Sequence, residues 1–190
     1  MLALTEARIG PLPEPAKVSD PIAALAALDP SAWNELFEQY YRKMYNFAYV
    51  RTGDVSAAEE IASEVFAAAA RGISRYRETG APIGAWLYRI ARNITADHVD
   101  KRRRRPFVSL DAAEIDPEDP ALDIEDAADI ARGLARLTRD QQDVIALRFY
   151  NDCSLQEAAA AMGKSIGAVK LLQHRALAAL RRQLTREPGR

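Results

Sequence analysis

Apolar residues recur along the first half of the chain at intervals of three and four positions, the spacing that places them on one face of an α-helix. The first stripe begins near Ser31 and comprises Trp33, Leu36, Phe37, Tyr40, Met44, Phe47 and Ala48. Gly53-Asp54 ends it, and Ser56 with Glu59 has the spacing of a capping box that starts a second helix. The apolar positions of that helix are Ile61, Val65, Phe66 and Ala69. After a loop over 72–82, a third helix carries Leu87, Ile90, Ala91 and Ile94.

The second half shows the same periodicity in shorter segments. A helix is predicted over 124–137, and Thr138 with Gln141 is placed to cap the next helix, whose apolar residues are Val144, Ile145, Leu147 and Phe149. Ser154 with Glu157 is a further capping box. The helix that it opens stops at Met162-Gly163, and a last helix is predicted from Ser165 to Leu184.

These elements predict an all-α fold with two small helical domains, since no alternating β pattern occurs. The predicted divisions are a flexible leader over 1–30, a first domain over 31–105, a linker over 106–130 and a second domain over 131–186. The leader is rich in Pro and Ala without a clear period, and Pro106, Pro117 and Pro120 interrupt the linker.

Composition indicates an ordinary globular protein of 190 residues, 48% hydrophobic and 28% charged. No apolar run approaches the roughly 18 to 20 residues of a membrane helix, and the N-terminus does not resemble a signal peptide. Cys153 is the only cysteine, which excludes an internal disulfide. A cytoplasmic location without membrane insertion is therefore expected.

Charge is strongly segregated although the formal net charge is only -1. Residues 101–105 are five consecutive bases, whereas residues 111–129 contain nine acidic residues and no base. From Lys164 to the C-terminus, seven Lys and Arg accompany only Glu187. Such alternating blocks suit a protein that meets nucleic acid at two places, although a charge run is often only a solvated surface.

The segment Gly163-Lys164-Ser165 has two interpretations, the end of a phosphate-binding loop or the turn between two DNA-reading helices. A phosphate loop requires a glycine five positions before Gly163 and a preceding strand. That position is Ala158, and the residues around it favour a helix. The nucleotide-binding interpretation is therefore rejected.

A helix-turn-helix explains the same residues. Ala159 supplies a small residue at the helix crossing, Gly163 allows a positive φ in the turn, and Val169 packs back against the first helix. The polar residues of the second helix lie near its start, where a recognition helix meets bases and phosphates. A helical hairpin with a solvated basic face is the alternative.

The stretch 74–105 interleaves aromatic residues with arginines, as surfaces for single-stranded nucleic acid do. Helical phase assigns Trp86 to the core rather than to a stacking platform. Arg89, Arg92 and Asn93 are predicted to face outward, and Asn93 is a candidate base reader because its amide both donates and accepts. The run Lys101, Arg102, Arg103, Arg104 and Arg105 is predicted to contact phosphates.

In this order, the motifs resemble the extracytoplasmic-function (ECF) group of RNA polymerase sigma factors, within the sigma-70 family. Three segments carry the resemblance, namely AAEEIASEVFAAAARG, WLYRIARN and LTRDQQDVIALRFYNDCSLQEAAAAMGKSIGAVKLLQHRAL. They are similar to the polymerase-binding helix, the minus-ten helix and the minus-thirty-five domain of that family. Residues 32–105 would correspond to its region two and residues 134–184 to its region four.

The resemblance implies roles for particular residues. The residues that would dock on the clamp of core RNA polymerase are Glu59, Glu60, Glu64, Val65 and Phe66, although Val65 and Phe66 also suit a core. An extruded minus-ten base would be captured by Asn93 and by the loop from Arg75 to Pro82, with Tyr76 and Arg77. The minus-thirty-five element would meet Lys164, Ser165, Lys170, Leu171, Gln173, His174 and Arg175. The implied partners are core polymerase, through the clamp and flap of its large subunits, promoter DNA and an anti-sigma factor.

The sequence departs from the family pattern in the recognition helix, where Leu171 and Leu172 replace polar residues. Leucine contacts a thymine methyl but cannot hydrogen-bond a base edge, so an unusual promoter element, or burial of one leucine against another protein, is expected. No catalytic, metal or cofactor site is predicted, because His98, His174 and Cys153 form no ligand set or nucleophile–base pair. Two alternatives are a stand-alone helix-turn-helix regulator, which would bind a palindrome as a dimer, and a sigma-like decoy for an anti-sigma protein.

Overall fold

The computed structural model describes residues 20–78, 80–104 and 124–185, without the side chains of 103–104 and 124–128. Within these ranges every regular element is helical. The α-helices are α1 (Pro21–Ala26), α2 (Pro30–Thr52), α3 (Val55–Gly72), α4 (Ile83–Arg104), α5 (Ile124–Ala135), α6 (Arg139–Ile145), α7 (Leu155–Met162) and α8 (Ile166–Leu184). A 3₁₀ turn, Ile73–Arg75, follows α3, and a π-helical segment, Ala146–Tyr150, follows α6. The all-α prediction is confirmed.

Helices α2, α3 and α4 pack against one another and form the first part of the core. The side chains at its centre are Met44, Phe47, Ile61, Val65 and Leu87, each exposed by 1% or less. Burying a side chain of this size stabilises the fold by about 1.5–3 kcal/mol relative to leaving it in water. Gly84 allows the close approach of α4 to α2, because a Cβ there would lie 2.5 Å from Cε1 of Tyr40.

Helices α5 to α8 form the second part of the core, with Val144, Leu147 and Val169 at its centre. Capping boxes at Thr138–Gln141 and Ser154–Glu157 open α6 and α7, as predicted. The two parts are in contact, because α7 and the π-helical segment pack against α4 and α2 respectively.

Three local expectations were wrong. Helix α1 lies inside the expected flexible leader, where Leu25 is buried and its carbonyl accepts a 3.0 Å hydrogen bond from Trp33 Nε1. The N-cap of α3 is Asp54, whose carboxylate accepts from the amide of Ala57, rather than Ser56. The helix that starts after Thr138 was expected to carry Phe149, but α6 ends at Ile145, and Phe149 lies in the π-helical segment and is 49% exposed.

Other expectations fall outside the residues that the structure describes. These are the leader before residue 20 and the linker prolines. The predicted domain boundaries therefore stay predictions. Helix α5 begins at Ile124, inside the segment that was expected to be a linker.

Candidate nucleic-acid interface

The outer face of α4 presents the polar residues expected at the minus-ten element. Arg89 and Asn93 are exposed, one turn apart, while Leu87 and Ala91 point into the core. Because side chains three and four positions apart share a helix face, the exposed pair forms one polar surface. This arrangement leaves the Asn93 amide accessible to a base.

The loop before α4 adds two arginines and an aromatic residue to this surface. Arg75 and Arg77 are exposed, whereas Tyr76 is partly buried with its ring 5.1 Å from that of Trp86. Trp86 is itself partly buried against the core, as its helical phase predicts. The Tyr76 ring is therefore held next to the exposed arginines by packing on Trp86.

Arg92 differs from the prediction, because its guanidinium does not face outward. Its Nε donates to Asp143 at 2.6 Å and its Nη2 donates to Asp140 at 2.5 Å, both carboxylates lying on α6. Burial disfavours the charged guanidinium, but these carboxylates outweigh that effect and raise the pKa of Arg92. In this structure Arg92 is thus bound within the protein.

The basic run continues α4 to Arg104, and Lys101 is exposed. Arg102 forms a 2.7 Å ion pair with Asp54, the residue that caps α3. The cap bond from the Ala57 amide, followed by Arg102, holds the pKa of Asp54 below its usual value. The side chains of Arg103 and Arg104 and the whole of Arg105 lie outside the described residues.

Helices α7 and α8 have the geometry expected of a helix-turn-helix. Gly163 ends α7 in the left-handed conformation at φ 64°, and the Lys164 amide donates to the Ala159 carbonyl at 3.0 Å. Ser165 caps α8 by accepting from the Ala168 amide at 3.2 Å. Val169 is fully buried and Ala159 is 6% exposed. Each of these positions therefore has the conformation or burial that the turn requires.

The first turns of α8 display the expected recognition residues. Lys170, His174 and Arg175 are exposed, and Leu171 is 50% exposed. Leu172 is partly buried and packs against the core, so Leu171 is the more exposed of the two unusual leucines. Gln173 is partly buried and accepts a 3.1 Å hydrogen bond from Arg148 Nε, which fixes its orientation. Lys164 is partly exposed and lies 3.1 Å from Asp140.

The expected polymerase-binding residues divide between surface and core. Glu59, Glu60 and Glu64 are exposed on α3, but Val65 is fully buried and Phe66 is 8% exposed. Val65 is thus a core residue, which was one of its two interpretations.

Beside Phe66 lies an aromatic group in which only Phe37, predicted to lie on the apolar face of α2, is exposed. Phe37 on α2 lies 4.9 Å from the Phe66 ring and stacks on Tyr41 at 4.7 Å, and it is 42% exposed.

The described residues contain no group of three or more His, Cys, Asp or Glu side chains that could hold a metal ion. Cys153 is buried, and burial raises the pKa of its thiol, which lies beside Tyr88. None of the described helices is both long enough and apolar enough to cross a membrane.

Comparison with known proteins agrees with this geometry. Residues 36–105 match the model of Sigma-70 region 2, and residues 133–182 match that of Sigma-70, region 4. The chain is 37% identical over 175 residues to the ECF RNA polymerase sigma factor BldN of Streptomyces coelicolor, a match that covers 89% of this chain and 66% of BldN. It is 31% identical over 173 residues to the ECF RNA polymerase sigma factor SigD of Mycobacterium tuberculosis, covering 86% of this chain and 82% of SigD.

Solved structures show the same fold. CnrH in complex with the cytosolic domain of CnrY is 21% identical, with a TM-score of 0.67 and coverage of 88% of this chain and 97% of that one. The sigma factor RpoE of Bartonella quintana, in complex with the anti-sigma factor NepR, is 23% identical, with a TM-score of 0.66 and coverage of 82% and 98%.

The matches to Sigma-70 regions 2 and 4, on an all-helical fold, define a two-region sigma factor of the sigma-70 type. Within that class, the chain belongs to the ECF RNA polymerase sigma factors.

Proposed function

We propose that the chain directs core RNA polymerase to a restricted set of promoters, reading the minus-thirty-five element with α8 and holding the melted minus-ten element against α4. It supplies recognition rather than catalysis, and its site of action is the cytoplasm. The observation that carries the proposal is the pair of polar surfaces on separate helices, around Asn93 on α4 and around Lys170 on α8.

The two surfaces suit different forms of DNA. The start of α8 projects after a tight turn, as a helix that enters the major groove does, with Lys170, His174 and Arg175 towards phosphates and base edges. Leu171 offers an apolar contact to a thymine methyl. The α4 surface and its preceding loop offer single-strand ligands, an amide and several arginines, and an extruded base there would stabilise the melted state.

Protein partners have their own surfaces. The exposed glutamates of α3 offer acidic contacts to the polymerase clamp, and Phe37, packed on Tyr41 and Phe66, offers an apolar contact. Aromatic residues are enriched where protein interfaces concentrate their binding energy. We also propose control by an anti-sigma factor, because the sigma factor RpoE, which has this fold, forms a complex with the anti-sigma factor NepR.

Promoter melting tests the role assigned to Asn93. The full chain is mixed with core polymerase and a cognate promoter, and unpaired thymines are detected by permanganate. Asn93→Ala should reduce thymine reactivity at the minus-ten element while leaving polymerase association intact. The control is Asn34→Ala, the same chemical change at an exposed asparagine of α2. Equal melting by both variants would remove Asn93 from the proposed site.

A further inference from the structure

The short helix α1, Pro21–Ala26, precedes the segment that matches Sigma-70 region 2, which begins at residue 36. Asp20 caps α1 by accepting from the Ile22 amide at 2.9 Å. Six residues are too few to form a stable helix alone, so packing against the rest of the chain must keep α1 folded. Neither promoter-facing surface nor the polymerase-facing surface includes a residue of α1.

One neighbour of α1 is helix α2. Leu25 of α1 is 3% exposed and belongs to the core, and its carbonyl accepts from Trp33 Nε1 of α2 at 3.0 Å. The turn between the two helices contains Leu28 at φ 58°, a conformation that leucine seldom adopts. Such strain persists only where the surrounding contacts fix the backbone. Helix α1 is therefore held in one position on α2.

The other neighbour of α1 is the 3₁₀ turn Ile73–Arg75, which follows α3. Ile73 is 4% exposed, and its carbonyl accepts from the Tyr76 amide at 2.9 Å. The Tyr76 ring in turn lies 5.1 Å from the Trp86 ring of α4. The loop that leads to α4 thus begins at a turn that is packed against α1.

This loop, from Arg75 to Pro82, is the one assigned to the extruded minus-ten base. Arg75 and Arg77 are exposed, and residues 76–78 and 80–82 belong to no helix. A loop of this kind loses affinity if its side chains become ordered only on binding, by about two- to tenfold for each side chain. Packing that orders the loop beforehand avoids this loss without any contact to DNA.

We propose that α1 is a brace for the minus-ten loop: by packing on the turn Ile73–Arg75, it holds Arg75, Tyr76 and Arg77 in position for an unpaired promoter base. The inference rests on the proposed function for the role of that loop. Helix α1 is a positioning element, and the ligand that benefits is the single strand of the melted minus-ten element. If α1 only stabilised the core, any equally destabilising substitution would have the same effect.

The order of the loop is tested in the full chain by hydrogen exchange and mass spectrometry. Leu25→Ala is compared with Leu134→Ala, because each removes a buried leucine, 3% and 5% exposed, and Leu134 lies in α5. Urea unfolding checks that the two variants are destabilised to a similar degree. Exchange over residues 73–78 should be at least about tenfold faster in Leu25→Ala, and it should stay at the wild-type rate in Leu134→Ala.

The consequence for binding is tested with the complex of core polymerase and the full chain. Fluorescence anisotropy measures the affinity for a labelled single-stranded oligonucleotide that carries the minus-ten segment of a promoter active with the wild-type chain. Leu25→Ala should bind about two- to tenfold more weakly, whereas Leu134→Ala should bind as the wild type does. Trp33→Phe, which keeps an aromatic ring and removes the donor to the Leu25 carbonyl, should shift exchange and affinity in the same direction as Leu25→Ala.

The brace is refuted if Leu25→Ala and Trp33→Phe leave exchange over residues 73–78 at the rate of Leu134→Ala. It is also refuted if exchange becomes faster while the affinity for the oligonucleotide is unchanged. The exchange measurement needs neither polymerase nor DNA, so its outcome does not depend on the proposed function. A wild-type complex that fails to bind the oligonucleotide would instead contradict the proposed function, and the role of the brace would fall with it.

Discussion

Replacing Gly163 with alanine tests the turn of the helix-turn-helix through its backbone alone. Gly163 has φ 64° and ψ 35°, and a Cβ added there would meet no atom within 4 Å. Steric clashes with neighbouring side chains therefore contribute nothing. The left-handed conformation itself costs an L-residue about 1–2 kcal/mol, and we expect Gly163→Ala to destabilise the chain by that amount.

Gly167 provides a control with the opposite sign. It lies in the first turn of α8, its φ is not positive, and an added Cβ again meets no atom within 4 Å. Alanine fits this conformation and restricts the unfolded chain, which should stabilise the protein by about 0.4–1 kcal/mol. Gly163→Asn should fall between wild type and Gly163→Ala, because asparagine tolerates the left-handed region.

Urea-induced unfolding of the full chain, followed by far-ultraviolet circular dichroism, measures these differences through the linear dependence of the free energy of unfolding on denaturant. The two alanine variants should differ by about 1.4–3 kcal/mol, the sum of the two expected changes. A Gly163→Ala chain as stable as wild type would refute the left-handed turn. A shift of both variants in the same direction would refute the argument from backbone conformation.

Three further substitutions test the phosphate contacts, the minus-thirty-five contact and the cap of α7. Replacing Lys101–Arg105 with glutamine should weaken binding to all DNA sequences. It should also flatten the slope of log affinity against log salt concentration, measured by anisotropy, by as much as about 4. An unchanged slope would exclude phosphate contacts by these residues. Leu171→Ala should reduce affinity mainly for minus-thirty-five elements with a thymine at the contacted position, compared by competition between duplexes. The hydrogen bond from the Ser154 amide lowers the pKa of Glu157. The ionised Glu157 carboxylate therefore stabilises the folded chain above the ordinary carboxyl pKa, and this stabilisation is lost as the pH falls through the lowered pKa. The free energy of unfolding should therefore depend less on acidic pH in Glu157→Gln than in the wild-type chain. Identical acid-unfolding curves would contradict the role of Glu157 in the cap of α7.

Features that depend on neighbouring residues in the sequence could be predicted. The capping boxes of α6 and α7 need only a hydroxyl residue and a Gln or Glu three positions later. The prediction failed at α3 because Asp54, two residues before Ser56, caps the same helix start. Helix α1 had a comparable signal in Asp20-Pro21, since a capping carboxylate followed by proline begins both α1 and α2.

Features that depend on distant residues could not be predicted in this way. Arg92 has the helical phase of an outward-facing residue, and its partner Asp143 lies 51 positions away in the sequence. No periodicity relates the two residues, because their contact depends on how α4 and α6 pack. Phe149 illustrates a different limit, since the apolar spacing does not reveal the π-helical segment in which it lies.

Promoter-directed transcription is tested most directly by run-off transcription with core RNA polymerase and the full chain over a library of genomic promoter fragments. We expect discrete transcripts that require the chain and start downstream of a shared pair of minus-thirty-five and minus-ten elements, whereas the chain alone should bind the same fragments weakly. Strong binding to a palindrome as a free dimer, with no polymerase association and no transcript, would contradict it.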